Sequence, residues 1–302
     1  MLTYSLEVRE ALKEKRPLVA LESTVIAHGL PYPDNEDVTH AMMRAVRAAG
    51  ATPAVIAVMD GRIHIGLEDE ELAYLAKATD VLKLSVADIG YCLAQKRLGA
   101  TTVSATLKLA HMAGIRIFAT GGLGGVHRGA EETFDISADL HALKTFPVGV
   151  VASGVKSILD VPKTLEFLET LGVPIVGYGD GAFALFWARG GPALGKSVCD
   201  AIEAARVLDT HLSLNLGGLL FSNPIPTQNA LSKQDIEEAI EKAIQDGHAQ
   251  GITGKAVTPF LLKTMASLTQ GKSLVANKAL LVQNAHTAGE IAAALALQER
   301  RV

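Results

Sequence analysis

Residues 148–159, reading VGVVASGVKSIL, constrain the fold of this chain more than any other stretch. An unbroken apolar, β-branched run shows no polar alternation, so it reads as a strand buried on both faces, as in the sheet of an α/β protein. Ser153-Gly154 ends the run, and one lysine, Lys156, comes next at the mouth of a helical pattern. Such a strand delivers the residues after it to the carboxyl edge of the sheet, where α/β proteins bind ligands. An ammonium beside apolar walls loses hydration, its pKa falls, and the resulting amine is a nucleophile toward carbonyl-like carbon. The plainer reading of Lys156 is the first residue of a solvated helix, since most lysines lie on surfaces.

The same alternation recurs along the chain. A strand over 18–21 runs into Glu22-Ser23-Thr24, then a Gly/Pro loop over 28–33 and a helix over 36–49 with Asn35 placed to cap it. A strand over 53–59 and the segment 62–66 flank Asp60-Gly61, the signature of a hairpin. An acidic helix over 69–76 precedes a short strand over 81–85 that carries Lys83 in its middle, a charge that a fully buried strand would not tolerate unpaired. Helices over 89–98 and 104–113 bracket Gly99–Thr102, and a strand over 115–119 ends in the loop TGGLGGVHRG. Strands over 174–177 and 218–221 and helices over 197–212, 234–249, 258–268 and 276–297 complete the pattern. With 302 residues and no linker, charge block or repeat, the expectation is one domain over 1–302. Its fold class is α/β: a mainly parallel sheet sandwiched by helices (α/β/α), with a helix-rich C-terminal third.

The balance of charge excludes some functions. A net charge of −4 supplies no basic field for a nucleic acid polymer, which leaves a small anion as the charged partner. Cys92 and Cys199 have no paired spacing, consistent with a reducing compartment, and the expected location is the cytoplasm. No apolar run reaches membrane-spanning length, and charges occupy the N-terminus where a signal peptide has its apolar core, so no membrane partner is expected.

Glu22, directly after a strand, shares the sheet edge expected for Lys156. It reads equally as a general acid with a raised pKa or as a structural carboxylate. Five glycines within residues 121–129, beside His127 and Arg128, leave the backbone free to curl around an anion, without the P-loop or dinucleotide spacing. Glu131, Glu132, Asp135 and Asp139 read as a solvated helix start or as carboxylates for a hard divalent cation. Asn277 and Asn284 fall on one face of the last helix, and the better reading of Asn284 is an interfacial hydrogen bond.

In the blocks ALESTVIAHGLPYP, ATGGLGGVHRGAEETFDISADL, SGVKSILDVPKTLEFLETLGVP, SNPIP and GKAVTPFLL the chain resembles the pseudouridine-5′-phosphate glycosidase family over nearly its whole length. The resemblance implies an α/β/α homotrimer with a divalent metal, manganese first and magnesium or another ion next. It also implies reversible cleavage of pseudouridine 5′-phosphate to uracil and ribose 5-phosphate. By motif, Lys156 matches the covalent nucleophile, Glu22 the proton donor and Asp135 the metal ligand. Lys83, Val103 and the run Ser137, Ala138, Asp139 match substrate contacts, and His127 and Asn277 resemble polar residues near the sugar phosphate and base. The departing atom of a C-nucleotide is carbon, so the paired carboxylates of ordinary glycosidases are poorly suited and a lysine imine serves as electron sink. The segment 179–192 (GDGAFALFWARGGP) departs from the family pattern, keeping Arg189 but bringing glycines and the only Trp, which leaves the base or phosphate pocket open to change. Two other readings stay open: a lyase or C-glycosidase of the same scaffold with another base or sugar phosphate, and a non-catalytic sugar-phosphate-binding protein.

Overall fold

The computed structural model describes residues 1–252 and 257–299, so residues 254–256 of the GKAVTPFLL block lie outside the described residues. The apolar runs become strands β1 (Leu2–Tyr4), β2 (Leu18–Leu21), β3 (Thr52–Met59), β4 (Arg62–Ile65), β5 (Leu82–Leu84), β6 (Gly99–Thr101), β7 (Ile117–Ala119), β8 (Gly149–Ala152), β9 (Ile175–Tyr178), β10 (Ser197–Val198) and β11 (Leu219–Ser222). Between them lie α1 (Leu6–Lys13), α2 (Asp34–Ala48), α3 (Asp69–Lys77), α4 (Ile89–Ala94), α5 (Val103–Met112), α6 (Ala130–Thr133), α7 (Ala138–Thr145), α8 (Val161–Thr170) and α9 (Ala201–Ser213). The chain then turns helical with α10 (Lys233–Ala249), α11 (Val257–Leu268) and α12 (Lys272–Glu299). No described helix is long and apolar enough to cross a membrane.

The main sheet runs β1-β4-β3-β2-β7-β8-β11-β9-β10, with β5 joined through β6 to β3. Every residue of β3, β7, β8 and β11 is buried, as expected of strands covered on both faces. The pairs are parallel except where β3 meets β4 and β6. The first exception is the hairpin read from Asp60-Gly61: φ is +49° and +73° at these two residues, the left-handed pair that matches strand twist in a two-residue turn.

Three local expectations give way to tertiary partners. Asn35 does not cap α2, which starts a residue earlier; it is buried in the first turn and its amide donates to the carbonyls of Ile26 (2.8 Å) and Ala76 (2.9 Å). The helix expected over 89–98 stops at Ala94, because Gly99–Thr101 pairs with both β3 and β5. Ser197-Val198 joins β9 as a strand, and α9 begins after Asp200, whose side chain accepts from Glu203 N at 2.9 Å. The objection to Lys83 also dissolves: β5 lies off the main path of the sheet and Lys83 is only half-buried.

α12 packs along α2 and α9 and across β2, β7 and β8. Alanines at 276, 285, 288 and 292 are buried there, letting the helix approach the sheet closely. Its one large polar intrusion is Asn284, with no exposed surface. The Asn284 amide nitrogen donates to Thr120 O (2.8 Å), Gly121 O (3.3 Å) and Ser153 Oγ (3.1 Å), and its oxygen accepts from Asn223 Nδ2 at 2.9 Å. Thr120, Ser153 and Asn223 follow β7, β8 and β11, so one side chain laces three adjacent strand ends. This is the interfacial hydrogen bond expected of Asn284, made between helix and sheet.

At the end of β8 the chain turns through Gly154 at φ +71°, where an added Cβ would collide with the Ala184 carbonyl oxygen. Gly154→Ala is expected to cost about 3 kcal/mol, combining left-handed strain with the collision. Gly190→Ala, at φ +81° with open space around it, is expected to cost about 1 kcal/mol. Urea denaturation of the two variants checks the difference.

Candidate active site

The carboxyl ends of β2, β7 and β8 open into a cleft of about 510 Å³, counting its open mouth. Glu22, Lys83, Lys156 and Asn277 all line it, with Thr24, His28, Thr120, Gly121, Gly122 and Phe186 completing much of the wall. Residues remote in sequence thus meet because Glu22 and Lys156 come after strands, Lys83 lies within β5 and Asn277 lies on the helix packed over the strand ends.

Lys156 is not at a helix start. It sits in a loop upstream of α8 that is braided with the glycine loop: Leu123 N donates to Gly154 O (3.0 Å) and Lys156 N to Leu123 O (3.1 Å). Phe186 N donates to Ser153 O at 2.9 Å and adds a third strand to the braid. The lysine backbone is therefore fixed while its side chain reaches the cleft.

Glu22 is only 7% exposed. Burial raises its carboxyl pKa above the usual range; nearby Lys156, the Thr120 hydroxyl and Lys83 pull the other way, and Asp139 adds to the rise. The Thr120 Oγ1 donates a hydrogen bond to Glu22 Oε1. An acid whose pKa is raised by burial thus shares the cleft with a primary amine, which is the pairing that general acid and nucleophilic catalysis need.

The other expected residues cluster behind the glycine loop. Asp139 is buried, its oxygens accepting from Ser104 N (2.9 Å), at the start of α5, and Gly124 N (2.8 Å). Val103 opens α5 and Ser137 caps α7, so two helix N-termini converge where Ala138 and Asp139 begin the second. His127 N donates to Asp135 O (3.0 Å), and its ring Nδ1 lies 3.8 Å from the Asp135 carboxylate. Burial lowers the His127 pKa against the pull of Asp135, with Lys156 and Lys83 reinforcing the fall. Part of the glycine loop is committed to the fold, Leu123 N donating to Gly154 O, Gly124 N to Asp139 and Val126 N to Thr164 Oγ1, while Gly121 and Gly122 line the cleft. Arg128 is spent too, its guanidinium gripping Glu237 through both terminal nitrogens at 2.5 and 3.1 Å.

For a metal, no group of three or more His, Cys, Asp or Glu is gathered among the described residues. Asp135, with its side chain 45% exposed, fits a hard divalent cation that keeps most of its water and takes one carboxylate. A closed zinc-type centre does not fit this donor set.

The divergent 179–192 segment forms part of the cleft through Phe186, whose ring packs tilted at 46° against that of Trp187, 5.0 Å between centroids. Arg189 has a structural task, donating to Ile225 O and to Asp180, each at 2.7 Å. Sequence reasoning missed His28 and Thr120. The signal for Thr120 was its place directly after a strand, like Glu22; His28, in a π-type turn over Val25–Gly29, had none beyond a Gly/Pro-rich loop.

Residues 7–294 match the family model described as indigoidine synthase A like protein. Among curated relatives, a pseudouridine-5′-phosphate glycosidase of Paracoccus denitrificans (strain Pd 1222) is 52% identical over 98% of this chain and 99% of its own length. One of Caldanaerobacter subterraneus subsp. tengcongensis is 51% identical over 96% of this chain and 95% of its own. Among solved structures, a prealnumycin C-glycosynthase in complex with ribulose 5-phosphate superposes with a TM-score of 0.92 at 39% identity, covering 100% of this chain and 99% of that one. An indigoidine synthase A-like protein of Thermotoga maritima gives a TM-score of 0.88 at 35% identity, covering 98% and 97%. The fold, the shared strand-end cleft and these full-length likenesses agree: the chain belongs to the indigoidine synthase A-like family and, within it, to the pseudouridine-5′-phosphate glycosidases.

Proposed function

We propose that this chain reversibly cleaves the C1′–C5 bond of pseudouridine 5′-phosphate, giving uracil and ribose 5-phosphate through an imine on Lys156. The observation that carries the reading is that a buried acid, Glu22, and a lysine, Lys156, line one cleft and interact electrostatically. Glu22 gives its proton to the ribose ring oxygen and the ring opens at C1′. The Lys156 amine then bonds C1′. The C1′–C5 bond breaks, its electron pair leaving with uracil, which takes a proton at C5. Water hydrolyses the C1′ imine, releasing ribose 5-phosphate and restoring the amine, so one water is consumed per cleavage.

Lys83, a cation lining the same cleft, supports binding of the phosphate there. Asp135 is the residue to hold manganese or magnesium, whose charge offsets that of the phosphate when bound. A homotrimer is part of the same reading, and light scattering at micromolar concentration tests it. A second reading, the same chemistry on another aglycone, draws on the likeness to a C-glycosynthase and on Phe186 of the divergent segment in the cleft wall.

Borohydride added with ribose 5-phosphate is expected to leave a pentose-phosphate adduct on Lys156, found by peptide mass spectrometry. Lys156→Ala loses the adduct and at least about a thousandfold in kcat; an adduct on another lysine refutes the assignment. Glu22→Gln is expected to lower kcat by about 10²–10⁴-fold. Because burial raises the Glu22 pKa, the folded state binds the proton more tightly than the unfolded chain, so the carboxyl weakens the fold progressively as pH rises above the unfolded value near 4.5. Glu22→Gln should therefore raise Tm at pH 8 and leave it nearly unchanged at pH 4, as scanning calorimetry can check. Asp135→Asn is expected to raise the manganese concentration giving half-maximal activity about tenfold or more, with kcat recovered at saturation.

A further inference from the structure

His28 lines the cleft beside Glu22, Lys83 and Lys156, yet none of the proposed catalytic steps gives it a task. Its Nε2 is buried and has no hydrogen-bond partner among the described residues. The other ring nitrogen is engaged by the Val81 backbone, a contact that requires the imidazole to donate. Burial, with Lys83 adding to it, lowers the His28 pKa and favours the neutral ring. A neutral imidazole has one N–H. With that hydrogen on Nδ1, Nε2 is a bare acceptor fixed in place by the π-type turn that carries it.

A second cavity adjoins the cleft and shares His28, Gly29 and Asn277 with it. Trp187 borders this cavity, is 2% exposed, and its indole Nε1 is also buried without a partner among the described residues. An indole nitrogen can only donate. The residues that carry this unspent acceptor and this unspent donor thus line the same cavity, which adjoins the cleft of the nucleophile. Buried polar atoms left unpaired in a protein cost free energy, so their presence on two residues of one cavity points to a ligand that pairs them. The group that meets both needs is a lactam edge: a ring N–H for the imidazole and a neighbouring carbonyl for the indole.

We propose that His28 and Trp187 read the lactam edge of the leaving heterocycle, His28 Nε2 accepting from its ring N–H and Trp187 Nε1 donating to its carbonyl. This rests on the C-glycosidase reading for the identity of the leaving group, and it makes the two residues specificity determinants of the aglycone.

The test measures binding without the co-substrate, so it does not depend on turnover. Calorimetry in the absence of ribose 5-phosphate compares uracil, 1-methyluracil and 3-methyluracil on the wild-type chain, His28→Ala and Trp187→Phe, each shown by its melting transition to be folded. On the wild type, one methyl isomer is expected to bind at least about tenfold more weakly than uracil, because its methyl replaces the hydrogen that Nε2 accepts. In His28→Ala that penalty falls to within about threefold, and in Trp187→Phe uracil itself weakens about fivefold or more while the methyl penalty persists. An unchanged methyl penalty in His28→Ala overturns the proposal, as does full-strength uracil binding to Trp187→Phe. If the wild type fails to bind uracil while borohydride still traps ribose 5-phosphate on Lys156, the lactam reading is wrong and the catalytic one stands.

Discussion

The structure depends on one buried polar knot where α12 meets the sheet. Strand ends leave carbonyls that no neighbouring strand can use, and burying them unpaired costs free energy. Asn284 answers three such ends at once, taking the carbonyls of Thr120 and Gly121 and the hydroxyl of Ser153 while Asn223 donates to its oxygen. A hydrophobic residue there would fill the volume and take from the Thr120 carbonyl the donor it has in Asn284. With Asn284, the segments that carry Thr120 and Lys156 are set relative to one another before any substrate arrives. That is the preorganisation catalysis needs, since groups misplaced by about an ångström lose much of their effect.

From that knot the electrostatics of the cleft follow. Thr120, positioned through its backbone, turns its hydroxyl to Glu22. Glu22 is held between opposing influences, burial favouring its proton and two lysines favouring its charge, and the first prevails. Asp139 serves two ends: its carboxylate caps the start of α5 and fixes Gly124, and its charge reaches Glu22. The glycine loop is also a close-packed strap. Its glycines let it approach the lysine loop and α7 side by side, and the amides of Leu123 and Gly124 are consumed in doing so.

Much of the fold was legible because its signals are local. Apolar β-branched runs gave β3 and β8, Asp60-Gly61 gave the hairpin, and the alternation of strand and helix gave the parallel sheet. The misreadings are of another kind. Asn35 has the chemistry of a cap, but two carbonyls distant in sequence offered its amide better use. Gly99–Thr101 has little strand propensity and became a strand only because β3 and β5 had free edges beside it. Arg128 looked like an anion ligand until α10 brought Glu237 to it.

Residue order alone decides which side chains come directly after strands, and therefore that Glu22 and Lys156 share the carboxyl edge, because chain direction and strand burial are written locally. It could not decide that Lys83, from a strand off the main path, and Asn277, from the last helix, would reach the same cleft. Nor could it say that Arg128 would be spent and His28 left with a bare nitrogen. Those outcomes hang on which distant groups meet each polar atom, and only the packing of α10 and α12 and the crossing of the loops settles that.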